Sequence, residues 1–86
     1  MDLTSEQKGR RAKEILDDPI FAEMIETTRA HILTEWNLTD FDQVDARESL
    51  YHQGRALDGI LRGLRTLVAD WTMDQSRNKN EKGRKR

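Results

Sequence analysis

Residues 50–71, LYHQGRALDGILRGLRTLVADW, decide the fold of this chain of 86 residues. Apolar or small residues recur there at alternating steps of four and three, which places them on a single face of an α-helix. The same spacing over three heptads is typical of a seam that packs against another helix. Together with the tryptophan that ends the preceding helix, the predicted seam and interface consists of Trp36, Leu50, Gly54, Leu57, Leu61, Leu64, Val68 and Trp71.

Two shorter helices are predicted upstream, separated by Pro19. Thr4 and Gln7 fit a capping box, which predicts a helix over residues 5–17. Asp18 fits the N-cap of a second helix over residues 19–36, because proline suits the first helical position and disfavours helical conformation in the residue before it. The apolar stripe of this second helix is Phe21, Ile25, Thr28, Ile32 and Trp36, and it is widened by Met24 and Leu33.

Turn-forming residues predict a loop from Asn37 to Val44, and Asp45 fits the N-cap of a third helix over residues 45–73. At about 1.5 Å per residue the third helix spans roughly 45 Å, the second about 27 Å and the first about 20 Å. The two short helices should therefore fold antiparallel along the long one. The predicted fold is all-α, a three-helix hairpin broken at Pro19.

This arrangement predicts particular contacts. Trp36 should lie near Leu50. Ile15 or Leu16 should lie near Val68 and Trp71. The apolar loop residues are expected to pack beneath the helix ends; they are Leu38, Phe41 and Val44.

The glycines and aromatic residues of the long helix suggest how it packs. Gly54 lies on the seam, which favours a close helix crossing there, beneath Trp36 or a second copy. Gly59 and Gly63 are interpreted as tolerated interruptions, each costing about 0.5–1 kcal/mol relative to alanine. The tryptophans are expected in the core, with interface anchors as the alternative, and Tyr51 is a candidate surface anchor.

Composition favours a small unit that associates. Hydrophobic residues make up 35% of the chain and charged residues 36%, and a domain of this size buries only roughly 60–65% of its unfolded surface. We therefore expect one helical domain over residues 1–75 that forms a homo-oligomer. The absence of cysteine excludes disulfides and thiolate chemistry. No apolar run approaches the roughly 20 residues that cross a bilayer, and the N-terminal residues are polar, so we expect a cytoplasmic protein without a membrane partner.

The chain ends in a basic segment. Of its 15 basic and 16 acidic residues, six basic and one acidic lie in residues 77–86, RNKNEKGRKR. Residues 76–86 are predicted to form a disordered tail. Cations there and on the first helix could neutralise phosphates, and without neighbouring aromatic residues any nucleic-acid binding would be independent of sequence. The alternative is a tail that only keeps the protein in solution, or one that pairs with the acidic remainder of the chain. The candidates for anion contact are Arg77, Lys79, Lys82, Arg84, Lys85, Arg86, Lys8, Arg10, Arg11 and Lys13.

Catalytic and metal chemistry have little support. His31 and Glu35 are four residues apart, as are Glu48 and His52, and such pairs on facing helices can hold metals. The spacing differs from that of di-iron sites, so we interpret both as exposed polar pairs. The sequence shows no nucleophile–base pair and no phosphate-binding glycine loop, which predicts a protein without enzymatic activity, cofactor or metal.

A set of residues in fixed order resembles a protein group. The run Arg11-Ala12-x-x-Ile15-Leu16-x-Asp18-Pro19-x-Phe21, then Trp36, then Arg47-Glu48-x-Leu50-Tyr51 and a leucine-rich helix, is similar to small helical accessory proteins of tailed bacteriophages. These are commonly encoded near head and packaging genes and are mostly of unassigned function. The similarity covers about residues 10–71 and omits the tail. It implies a viral origin, with the protein in the host cytoplasm or the virion, and supplies no catalytic residues.

Three functions remain open. The first is a non-enzymatic phage accessory or virion-assembly protein that associates through its helices and contacts nucleic acid or an acidic surface with its tail. The second is a small inhibitor of a host enzyme, and the third a structural virion peptide that binds only a capsid or portal protein. The inhibitor would mimic nucleic acid with an acidic face formed by Glu23, Glu26, Asp40, Asp42, Asp45 and Asp58.

Overall fold

The computed structural model describes residues 2–84, and the side chains of residues 2–77. It consists of three helices, α1 (Ser5–Asp17), α2 (Pro19–Asn37) and α3 (Val44–Arg84). Residues 2–84 contain no strand. The all-α class, the break before Pro19 and the packing of the shorter helices along the long one are confirmed.

The starts of the two shorter helices follow the predicted caps. The backbone N–H of Gln7 donates to the Thr4 hydroxyl at 3.1 Å, and the Thr4 N–H donates to the Gln7 side chain at 2.8 Å. The Asp18 carboxylate accepts from the N–H groups of Ile20 and Phe21, at 2.8 and 3.1 Å. Both caps satisfy N–H groups that a helix start leaves without partners.

The bounds of α3 differ from the prediction at both ends. The carbonyl of Gln43 accepts from the N–H of Arg47 at 3.1 Å, so the helix begins at Val44 and Asp45 lies inside its first turn rather than at the cap. At the other end α3 continues to Arg84 rather than ending at residue 73. No proline interrupts residues 74–84, and a helix does not require an apolar stripe to continue. The division into a domain of residues 1–75 and a disordered tail stays a prediction.

The helices form two compact units that share α3. In the α1–α3 unit, α1 packs with the part of α3 from Arg62 onward. In the α2–α3 unit, which spans Asp18–Leu61, α2 packs with the first part of α3. Each unit is thus a pair of helices, and a pair of helices has little interior. Among the described side chains only Ala12 and Leu61 are buried apolar residues, at 1% and 7% exposure.

The α1–α3 unit contains the close helix crossing. Gly9 and Ala12 are the buried residues of α1. A Cβ atom at Gly9 would overlap the Cβ of Trp71 and lie 3.0 Å from the carbonyl oxygen of Leu67. The two helix backbones approach this closely because Gly9 has no side chain. The close crossing predicted at Gly54 is wrong within the chain. A Cβ there would meet no described atom within 4 Å, as at Gly59 and Gly63.

The partner of Trp71 also differs from the prediction. Gly9 contacts it, whereas the predicted partners Ile15 and Leu16 lie about 9–10 Å further along the α1 axis at 1.5 Å per residue. The side chain of Ile15 is exposed. The buried indole N–H of Trp71 has no hydrogen-bond partner among the described atoms.

Candidate functional site

The α2–α3 unit carries an open groove of about 630 Å³ between its two helices. Most of its lining residues are apolar, and four are charged. The lining residues are Glu26, Arg29, Ala30, Ile32, Leu33, Trp36, Leu50, Tyr51, Gly54, Arg55 and Asp58. Trp36 and Leu50 line the same groove, in agreement with their predicted proximity.

Large apolar side chains border this groove and remain in contact with solvent. Leu33 is 60% exposed, and Tyr51 and Trp36 are exposed as well. Leu33 and Trp36 are three residues apart, so they lie on the same flank of α2. Isolated exposed apolar residues are common on protein surfaces, but a group that borders one groove is typical of an interaction site.

The charged residues of the groove are balanced. Arg29 Nη1 lies 3.2 Å from Asp58 Oδ1, which joins α2 to α3 across the groove. Both side chains are about half exposed, so this ion pair contributes at most about 1 kcal/mol to stability. Glu26 and Arg55 supply one further charge of each sign. The lining therefore has two acids and two bases and no net charge.

A cation–aromatic contact holds Trp36 at one end of the groove. The guanidinium carbon of Arg47 lies 5.0 Å from the centre of the Trp36 ring. Arg47 also donates from Nε to the Thr39 hydroxyl at 2.8 Å and from Nη2 to the Thr39 carbonyl at 3.3 Å. The Thr39 hydroxyl in turn donates to the carbonyl of Trp36 at 2.7 Å. These contacts hold the ring against Arg47.

Sequence reasoning did not identify this role of Arg47. One signal was present, because a cation in the first turn of the second helix of a hairpin lies near the C-terminus of the first. Helix C-termini carry partial negative charge and unpaired carbonyl groups, which favour such a cation. Arg47 is only partly exposed, as expected for a side chain stacked on a ring.

The apolar residues of the α2–α3 loop are exposed, which contradicts the expectation that they pack beneath the helix ends. Phe41 is 86% exposed, and Leu38 and Val44 are also open to solvent. The loop is closed by its own hydrogen bonds: Asp40 N–H donates to the Gln43 side chain at 2.7 Å, and Gln43 N–H donates to the Asp40 carbonyl at 3.0 Å. This tight turn keeps the loop side chains away from the helix ends.

The predicted seam is divided between the two units. In the α2–α3 unit Leu61 is buried, and the other α3 seam residues are partly exposed: Leu50, Gly54 and Leu57. The α1–α3 unit contains three partly exposed members, Leu64, Val68 and Trp71. The expectation that both tryptophans are core residues is wrong for Trp36, which borders the open groove.

The predicted anion contacts are only partly free. Arg10 pairs with Glu6 at 2.6 Å, and Lys13 pairs with Asp17 at 2.6 Å. The hydrogen bond to the Asp17 carboxylate, followed by its coulombic attraction, raises the pKa of Lys13 above its usual value. Among side chains 2–77 the remaining candidates form no ion pair and are exposed; they are Lys8, Arg11 and Arg77. The side chains of Lys79, Lys82 and Arg84 lie outside the described ones, and Lys85 and Arg86 lie outside the described residues altogether.

The histidine–carboxylate pairs have the geometry of weak surface contacts. His31 lies 3.9 Å from Glu35, and His52 lies 3.8 Å from Glu48, with all four side chains exposed. Within the described part of the chain, no group of three or more histidine and acidic residues could hold a metal ion. The predicted acidic face is exposed at each of its positions: Glu23, Glu26, Asp40, Asp42, Asp45 and Asp58.

None of the helices in the described residues combines the length and apolar character needed to cross a membrane. Comparison of the chain with protein-family models, with curated proteins and with solved structures found no match.

Proposed function

We propose that this chain is a non-enzymatic association protein that binds a protein partner through the groove of its α2–α3 unit. The observation that carries the proposal is the group of exposed side chains at that groove, Leu33, Trp36 and Tyr51. Removing apolar surface from water is favourable by about 25 cal/mol per Å². A partner that covers these residues therefore supplies burial that the two helices do not supply themselves.

The chemistry of the groove favours binding over catalysis. Its lining contains no histidine, serine or cysteine, and its two carboxylates, Glu26 and Asp58, are accompanied by two arginines. Arg29 and Asp58 already neutralise each other. Such a surface can fix the register of a docked helix, but it holds no activated group.

The basic end of the chain would add a second contact. Six cations within residues 77–86 could bind nucleic acid without sequence preference, or an acidic protein surface. The role as a phage accessory or virion-assembly protein, in the host cytoplasm or the virion, is supported only by the resemblance over residues 10–71. The protein partner would be a second copy, a virion protein or a host protein.

A second candidate function is inhibition of a host enzyme through the acidic face. It is favoured by the exposed Phe41, which lies between Asp40 and Asp42 at the α2–α3 loop. An aromatic side chain flanked by carboxylates suits a partner with an apolar pocket and a cationic rim.

The test is affinity capture of tagged variants, with and without nuclease, from the cells in which the protein is made. Leu33→Asp places a charge at the groove, and Met24→Asp is the matched control because Met24 lies on the same helix at 56% exposure and does not line the groove. We expect Leu33→Asp to lose the protein partner and Met24→Asp to keep it. The variant without residues 77–86 should fail to capture only those molecules that nuclease treatment also releases.

Capture that Leu33→Asp leaves unchanged would contradict the groove as the binding surface. A host enzyme that is still captured without residues 77–86, and is lost with Phe41→Ser, would support the inhibitor instead.

A further inference from the structure

We propose that the occupant of the groove is a second copy of this chain, so that two α2–α3 units form a four-helix bundle. The inference rests on the proposed function and names the partner of that same groove. Three properties of the groove support it: the architecture of its two helices, its charge balance, and a knob beside a hole on one surface.

The architecture of the α2–α3 unit is half of a bundle. Two antiparallel helices joined by the short loop 38–43 form one layer, as the contacts Arg29–Asp58 and Trp36–Arg47 show. One layer of helices buries its apolar face only against another layer. The four-helix bundle is the common solution, with side chains of facing helices interlocking in the core. A second copy supplies a face of the same length and the same need for cover.

The charges of the groove select against strongly charged partners. Glu26, Arg29, Arg55 and Asp58 give two charges of each sign. In a two-fold symmetric contact the same patch meets itself, so a patch of one sign would repel its copy. A balanced patch can form pairs of opposite sign across the symmetry axis. Nucleic acid or a highly basic surface would gain no net attraction from it.

The groove presents a knob and a hole one helical turn apart. The Tyr51 side chain is exposed, and three residues later Gly54 is partly exposed, with no described atom within 4 Å of the position of a Cβ. Symmetric contacts require that each copy supplies both the inserted side chain and the space that receives it. Trp36 is already held by Arg47, so little side-chain entropy is lost on docking.

Sedimentation equilibrium of the full chain, from about 1 to 200 µM, tests the inference. We expect a reversible monomer–dimer equilibrium in this range. Leu33→Asp should raise the dimer Kd at least tenfold, while Met24→Asp should change it less than about twofold. Circular dichroism of both variants should show the helix content of the unchanged protein, because both side chains are more than half exposed.

A second variant separates loss of the dimer from loss of folding. Gly54→Leu fills the hole, so it should also raise the dimer Kd at least tenfold, although leucine favours the helix more than glycine does. Gly59→Leu is its control, because Gly59 also has open space around it and does not line the groove. A weaker dimer with a more stable monomer is a result that misfolding cannot produce.

A protein that stays monomeric to 200 µM would overturn the inference, as would a dimer that neither Leu33→Asp nor Gly54→Leu weakens. If the protein is monomeric but Leu33→Asp still loses the captured partner, the proposed function holds and the partner is a different protein. If the protein is monomeric and Leu33→Asp also leaves the captured proteins unchanged, both proposals fail.

Discussion

The two units of this chain use the same helix in opposite ways. In the α1–α3 unit, α1 presents Gly9 and Ala12, and both are buried against α3. In the α2–α3 unit, α2 presents larger residues such as Phe21, Ile25 and Ile32, and none of its residues is fully buried. Because the distance between packed helices depends on the side chains at the contact, small residues allow a close crossing and large ones keep the helices apart.

The difference separates a closed internal contact from an open groove. At Gly9 the backbone of α1 lies directly against Trp71, so no space for a ligand remains there. Between α2 and α3 the larger side chains leave the groove of about 630 Å³. We infer that the choice of small or large residues on the shorter helix decides whether a stretch of α3 is closed against its neighbour or borders an open groove.

The largest expected effect comes from adding a side chain at Gly9, where the α1–α3 unit has no space for one. Gly9→Ala adds a Cβ that would overlap Trp71 Cβ and lie 2.9 Å from Trp71 Cγ. Trp71 Cβ is bonded directly to the backbone and cannot rotate away, so the helices must separate. We expect the free energy of unfolding to fall by about 2 kcal/mol, measured by urea denaturation followed by circular dichroism.

Trp71 fluorescence should shift to longer wavelength in the same variant, because the indole becomes more exposed. An unfolding free energy equal to or above that of the unchanged protein would show that α1 does not cross α3 closely at Gly9.

The fold was predictable to the level of the three helices and the starts of the two shorter ones. Apolar spacing identified α2 and α3, and side-chain chemistry identified the caps at Thr4 and Asp18, because both signals are local in sequence. The position of the close crossing was not predictable in this way. Spacing shows which face of a helix packs, but it does not show how near the partner backbone comes. Gly54 was chosen because it lies on the seam, whereas the crossing occurs at Gly9, where a small residue is followed by Ala12 on the same face.

The groove was predictable only in part. Trp36, Leu50 and Gly54 belonged to the predicted seam, and Tyr51 was a predicted surface anchor. Leu33 widened the predicted apolar stripe of the second helix but was not assigned to the interface. Arg29 and Arg55 were missed because they are charged residues on the flanks of their helices. Whether a flank residue borders a groove or faces solvent alone depends on the separation of the helices, which the sequence pattern does not specify.

An intermediate effect is expected in the α2–α3 unit, where polar contacts join the two helices at the loop end. Arg47→Ala removes the stacking on Trp36 and two hydrogen bonds to Thr39. We expect a loss of about 1 kcal/mol in the free energy of unfolding, since exposed cation–π contacts and hydrogen bonds each contribute about that much or less. Amide hydrogen exchange should become faster at Thr39.

The matched control is Arg62→Ala, which removes an exposed arginine from the same helix that does not line the groove. Its effect on unfolding should stay within about 0.5 kcal/mol. Equal losses for the two variants would mean that removing any arginine of α3 has this effect, and that the contacts of Arg47 do not explain it, because alanine is itself a strong helix former.

The smallest expected effect has the opposite sign and tests whether Gly9 is special within its own unit. Gly63 lies in the part of α3 that belongs to the α1–α3 unit, and a Cβ there would meet no described atom within 4 Å. Gly63→Ala should therefore raise the free energy of unfolding by about 0.5–1 kcal/mol, because alanine loses less backbone entropy than glycine on forming a helix. The measurement is the same urea titration at one protein concentration. If Gly63→Ala destabilised the protein as Gly9→Ala should, α3 would be packed closely along more of its surface than the crossing at Gly9 requires, and the contrast between a closed contact and an open groove would lose its basis.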